Sequence, residues 1–258
     1  MNKIYLGAIF AAFVLVSCGG GSDFKKAPVD VMIRDMDSLQ NFTIILYDMD
    51  VESGFPDKYK HRYKIIKEKP DGTPYDEVTD WYDVDENTFA YYENDMGMEV
   101  ASKEDGKVTK ETSPPGYSKY VGNQKYGSWR TDSGGRSFWE FYGQYAFMSN
   151  MIGLFSTPIY RTGYYDYYNN YRGRRPYYGP VSNGSYKYGT LSSLSRKQNP
   201  TFFKRATTNN ALKSRVNNSI SRSTSGSRTT RSSSRYSTSS GSSSSSSARS
   251  RSSSSGGK

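Results

Sequence analysis

The last 40 residues, 219–258, contain 22 serines punctuated by arginine. Such a segment has almost no apolar surface to bury, so it cannot offset the entropy of ordering and is predicted to be a disordered basic tail. The rest of the chain is also sparing with apolar residues: they make up 34% of the sequence, and 24 of the residues counted are tyrosines. Ordinary globular chains carry roughly 45–50%. Charge divides just as sharply. Residues 19–112 hold 22 acids and 12 bases, whereas residues 113–258 hold 3 acids and 22 bases, and Asp166 is the last acid. This split predicts an acidic folded part followed by a basic interaction region.

Residues 28–112 carry the strand signals. Asn41–Tyr47 is β-branched and aromatic. Tyr59–Lys69 alternates and ends at Pro70-Asp71-Gly72, a turn sequence. Tyr75–Val84 and Thr88–Tyr92 read as further aromatic strands. Met98–Glu111 reads as a hairpin about Asp105-Gly106, because Asp-Gly supplies the positive φ angles of a tight turn. A short helix is expected within Val31–Gln40. The fold class is therefore a small, mainly antiparallel β (α+β) domain over 28–112. It is followed by a Gly/Tyr linker over 113–136, one amphipathic helix and the basic tail.

That helix is expected at 137–156, where Phe138, Phe141, Tyr145, Met148, Ile152 and Phe155 are spaced three and four residues apart. Ser137 and Glu140 fit a capping box. Only Glu140 is charged across this stretch, so packing on the domain, lying in a membrane interface and spanning a membrane all stay open. A Tyr/Arg/Gly-rich basic region follows over 157–218, with a weak helical patch after Leu191. Arg172, Arg174 and Arg175 within it, and Arg222, Arg228, Arg231 and Arg235 in the tail, are candidate contacts to anions and polymers. Its tyrosines and arginines are suited to stack on sugar rings, on bases or on one another.

Catalytic chemistry finds little support. His61 is the sole histidine and is read as a solvent-facing strand residue between Lys60 and Arg62. Asp48, Asp50 and Glu52 share one strand face, as hard cations prefer, but the glycine and glutamate that an EF-hand loop needs are replaced by Ser53 and Tyr59. A solvated acidic face is the expectation for these residues and for Asp83, Asp85 and Glu86. No phosphate-cradling or dinucleotide motif occurs. No catalytic residue, cofactor or metal is assigned, and the chain is read as non-enzymatic.

Met1-Asn2-Lys3, an apolar run from Ile4 to Val16, and Leu15-Val16-Ser17-Cys18 followed by three glycines resemble the signal peptide and lipobox of bacterial lipoproteins. The resemblance implies removal of residues 1–17, lipidation of Cys18 and a flexible tether over 18–27. Cys18 is the only cysteine, so no other thiol serves redox or metal chemistry. Gly19 stands where enterobacterial lipoproteins kept at the inner membrane carry aspartate, which implies the outer membrane. Asp37-Ser38-Leu39 is similar to the O-glycosylation sequon of some Bacteroidota. The layout, with Ser137-Phe138-Trp139 opening an aromatic, Met- and Gly-containing helix before a basic Ser/Arg/Gly tail, is similar to that of a family of uncharacterised enterobacterial outer-membrane lipoproteins. That family offers no catalytic residues.

These readings converge on a membrane-anchored envelope lipoprotein acting as an interaction or scaffolding protein. Its basic tail would contact anionic lipid, lipopolysaccharide or extracellular polymer, and export makes intracellular nucleic acid an unsuitable partner. The alternative is a surface-exposed adhesin or matrix-binding lipoprotein.

Overall fold

The structure, a computed structural model, describes residues 27–152, 158–182 and 184–216. A short helix, α1 (Pro28–Asp35), starts with proline, whose missing N–H is an orphan at that position anyway. Strands β1 (Phe42–Glu52) and β2 (Lys58–Glu68) form a long hairpin. Next come β3 (Pro74–Val78), β4 (Tyr82–Val84) and helix α2 (Glu86–Tyr92), then β5 (Glu99–Glu104) and β6 (Lys107–Thr109). The sheet order is β3-β2-β1-β5-β6 with β4 also on β2, and every pairing is antiparallel. At the β5–β6 turn both Asp105 (φ 49°) and Gly106 (φ 81°) are left-handed, as the Asp-Gly sequence predicts.

The second half of the chain adds β7 (Gly127–Thr131), β8 (Ser137–Phe141), α3 (Met148–Met151) and α4 (Arg161–Asp166), which runs on into a π-helical turn at Tyr167–Tyr171. The two-residue strands β9 (Val181–Ser182) and β10 (Ser185–Tyr186) precede α5 (Ser193–Gln198) and α6 (Pro200–Thr208), and residues 210–216 are again helical.

Strand β1 organises two cores. Phe42, Ile44 and Leu46 face one, and Ile45 faces the other. The pairing register slips between Leu46 and Asp48, and the extra residue reverses the alternation so that Met49 and Val51 rejoin the first core. α1 and α2 supply Val29, Met32 and Phe89 to that core, and Phe202, Ala206 and Leu212 complete it from the C-terminal helices. On the opposite face Ile45, Ile66 and Met98 lie beneath an aromatic layer that includes Tyr117, Tyr120, Tyr126, Trp139, Tyr164, Tyr167 and Tyr177.

The α+β class with an antiparallel sheet is as expected, but its extent is not. The cores draw on residues up to Leu212, so the Tyr/Arg/Gly region and the helical patch are structural parts of the fold rather than an appendage of a domain ending at Thr112. Thr88–Tyr92 lies in α2 rather than a strand, because Asp85 accepts the Thr88 N–H at 2.9 Å and caps a helix start.

The single helix over 137–156 is also overturned. Ser137–Phe141 is strand β8, paired with β7, and is followed by a 3-10 turn at Gly143–Tyr145 and the one-turn helix α3. Asp132 causes this locally by accepting the N–H groups of Gly134 and Arg136, with Gly135 at φ 78°, which folds the chain into a hairpin turn. Trp129 and Trp139 then meet as a cross-strand edge-to-face pair with centroids 5.2 Å apart. Glu140 pairs with Arg130 at 2.9 Å instead of capping a helix. Met148 and Ile152 are buried, Phe138 and Phe141 are half-buried strand residues, and Tyr145 packs edge-on against Tyr126. Phe155 lies outside the described residues. Among the described residues no helix is long and apolar enough to cross a membrane.

Two predictions follow from this packing. Leu212→Ala should destabilise the protein by about 2–4 kcal/mol in denaturant unfolding, because a fully buried leucine closes the first core. Loss of less than ~0.5 kcal/mol would show that 210–216 is peripheral. The second concerns Glu99 and Asp95, both buried. Desolvation pushes Glu99 up to about 8 and Asp95 up to about 7. Between the ordinary carboxylate range and those values the unfolded chain is ionised while the folded chain keeps its protons. Their contribution therefore makes stability fall as pH rises through that window and level off above about 8. Calorimetric melting from pH 5 to 9 should show this fall, and Glu99→Gln should flatten it; an unchanged slope would refute the assignment.

Candidate functional site

The sequence-predicted acidic and histidine groups turn out to be structural. Beyond Leu46, whose N–H and carbonyl still bond Met98 and Gly97, strand β1 has no partner on its β5 side, leaving an open edge. Asp48 Oδ1 accepts the Met49 N–H at 2.8 Å and Asp50 Oδ1 accepts the Val51 N–H at 2.9 Å. Arg205, from α6, donates to the Met49 carbonyl at 3.1 Å, and Asn209 donates to the Val51 carbonyl. Arg205 also bonds Asp48 at 2.8 Å and lies 3.5 Å from Asp50. These side chains thus satisfy the open edge, and one arginine partly neutralises the carboxylates. Among the described residues no group of three or more acidic, histidine or cysteine side chains is placed to hold a metal.

His61 is buried rather than solvent-facing. Its ring sits among Tyr63, Phe89 and Tyr92, and Nδ1 lies 3.0 Å from the Tyr63 hydroxyl. Desolvation lowers its pKa to about 3, so it is neutral at physiological pH. Alternation along β2 accounts for this placement, since His61 shares the face of Tyr63 and Ile65, and the β1 bulge brings Met49 opposite it. A hollow lined by Gly97, Tyr188, Ser192 and Gln198 encloses about 10 Å³, room for one water and far below the ~300 Å³ of a small ligand pocket.

The arrangement with binding chemistry lies on α4 and the turn after it. Tyr164 and Tyr167 point into the aromatic core. Arg161, Tyr165 and Tyr168, at helical spacing, are exposed. The Arg161 guanidinium lies 5.0 Å from the Tyr165 ring centroid and 6.0 Å from that of Trp129, and donates to the Tyr165 hydroxyl at 3.0 Å. Arg172 lies 5.2 Å from the Tyr168 ring, and Arg175 lies 4.1 Å from the Tyr171 ring. Three Arg/Tyr pairs, each four residues apart, thus form one cationic ladder.

The three arginines singled out in the sequence differ in role. Arg172 is half-buried and donates to Glu104 at 3.1 Å and to the Ser118 carbonyl at 3.2 Å, fastening α4 to the sheet side. Arg174 and Arg175 are exposed, and Arg174 donates to the Asn169 carbonyl at 3.2 Å. Among the described residues no ion pair engages Arg161, Arg174 or Arg175. Sequence reasoning missed Arg161, Tyr165, Tyr168 and Trp129, although the four-residue Arg/Tyr spacing was a readable signal. Cys18, Arg222, Arg228, Arg231 and Arg235 lie outside the described residues.

No protein-family model matches this chain, no curated protein matches its sequence, and no solved structure matches its fold. Its reading therefore rests on its own residues. Arg172→Gln should lower stability by about 1 kcal/mol, since it removes a half-exposed ion pair and a carbonyl bond. Arg174→Gln and Arg175→Gln should leave the thermal melt unchanged. Equal effects of all three would refute the division of roles.

Proposed function

We propose that this chain is a non-enzymatic lipoprotein of a bacterial cell envelope, held at the outer membrane by lipid on Cys18, whose basic surface and tail contact anionic envelope polymers or lipopolysaccharide. One observation carries the reading. Folding pairs many acids of the first half with partners from the second: Lys119 with Glu68, Arg172 with Glu104, Arg205 with Asp48 and Asp50, and Arg215 with Glu86. Cations nevertheless remain on the Arg/Tyr face, and residues 217–258 add seven more with no acid. Residues 27–216 carry 25 bases against 24 acids, so the positive excess lies in residues 217–258; held at a membrane, such a segment attracts polyanions, and the attraction weakens with salt.

The lipobox sequence supports the tether, and the small hollow and buried His61 are in keeping with a binding rather than catalytic role. Metabolic labelling with a palmitate analogue should mark the native chain and not Cys18→Ala, and fractionation should move the variant out of the membrane. Equal labelling of both would overturn the anchor. Protease shaving of intact cells places the tail: cleavage would favour the adhesin form of the reading, and protection a periplasmic form.

A further inference from the structure

The Arg/Tyr ladder is more specific than a diffuse basic surface. We propose that it is a preorganised binding site for a linear acidic polysaccharide, read through its carboxylates. This rests on the polyanion reading above and names the ligand class and the site on the folded body. A guanidinium laid over a ring gives up little further side-chain freedom on binding, and its edge N–H groups point outward as a planar fork that fits a carboxylate. Arg161 is held beside Tyr165 and Trp129, with one N–H donated to the Tyr165 hydroxyl at 3.0 Å, and Arg175 is held over Tyr171; neither is engaged by an acid among the described residues.

The surroundings favour a saccharide over nucleic acid. Binding of single strands relies on bare aromatic faces for bases to stack on. Here Tyr165, Tyr168 and Tyr171 each carry a guanidinium, and Trp129 is enclosed by Trp139, Tyr164, Tyr165 and Arg161. What the face offers outward is polar: the exposed tyrosines 165 and 168 and the exposed amide of Asn169 beside the arginines, while the Asn170 amide donates to Asp166 at 2.9 Å. Hydroxyls and amides flanking fixed cations suit a polymer of sugar hydroxyls and regularly placed carboxylates.

The test measures binding of the full chain to polygalacturonate at ~0.15 M salt, with polyphosphate, single-stranded DNA and neutral dextran as comparison arms. Polygalacturonate should bind at least as well as polyphosphate, better than DNA, and far better than dextran. The double variant Arg161→Gln, Arg175→Gln should weaken it roughly tenfold. Tyr165→Leu, which keeps every charge, should weaken it about threefold if the ring positions the guanidinium. All these side chains are exposed, so the thermal melts should match the native chain. A full-length variant with Arg222, Arg228, Arg231 and Arg235 changed to glutamine separates the two proposals. Loss confined to that variant would overturn the ladder site and leave the polyanion reading standing. Failure of the native chain to bind any polyanion would overturn both. Stronger binding to DNA than to polygalacturonate, or an unaffected Tyr165→Leu, would overturn the preorganised saccharide site.

Discussion

Strand β1 is buried on both faces from Phe42 to Leu46, and the rest of the structure follows from that constraint. A strand whose successive side chains are apolar on both sides cannot leave either sheet face in water. Residues 28–112 supply only α1, α2 and the adjoining strands, which half-cover one face. The remaining cover comes from far along the chain: α6 with Leu212 on one side, and the tyrosine layer on the other. At roughly 25 cal/mol per Å² of apolar surface removed from water, these layers are the main source of favourable free energy available to a chain so poor in aliphatic residues.

Tyrosine suits the second layer for a particular reason. The sheet face it covers is rimmed by carboxylates, and a ring with a hydroxyl both buries area and satisfies an acid. Tyr126 donates to Glu68 at 2.8 Å, Tyr167 to Glu111 at 2.6 Å and Tyr178 to Asp95 at 2.6 Å. An aliphatic layer would take one donor from each of these acids, leaving Glu68 to Lys119, Glu111 to the Gly173 N–H and Asp95 to Thr112. The arginines of the second half act similarly at the sheet's open edges. The acidic and basic halves thus meet as partly complementary surfaces of one fold, while acids such as Asp76, Glu77, Asp83 and Glu86 and the cations Arg161, Arg174 and Arg175 face outward.

Much of the first half was legible in the sequence. The strand runs at Asn41–Tyr47 and Tyr59–Lys69, the Pro-Asp-Gly turn and the Asp105-Gly106 hairpin depend on the intrinsic preferences of adjacent residues and are kept in the fold, whereas the aromatic run Thr88–Tyr92 became helix α2 under the Asp85 cap. The stretch 137–156 shows where local reading fails. Phe138, Trp139 and Phe141 satisfy a helical period, yet aromatic residues favour strands equally well, and the choice fell to the Asp132–Gly135 turn and to Trp129 across the hairpin. The ladder was half legible: its Arg/Tyr composition and four-residue spacing are in the sequence, but the sequence does not say which tyrosines face inward.

The sequence by itself determined the places where the chain turns, the class of fold and the excess of positive charge in the second half, because composition and short-range backbone preference act without a partner. Tertiary structure decided which charges are spent. Arg172 and Arg205 reach acids 68 and 157 residues away, while Arg161 and Arg175 reach none among the described residues. It also decided that His61 is buried, because the β2 face that His61 shares with Tyr63 and Ile65 is the one covered by Phe89 and Tyr92 of α2. Such outcomes depend on which surfaces meet when the second half closes over a sheet buried on both faces, and no local preference encodes that meeting.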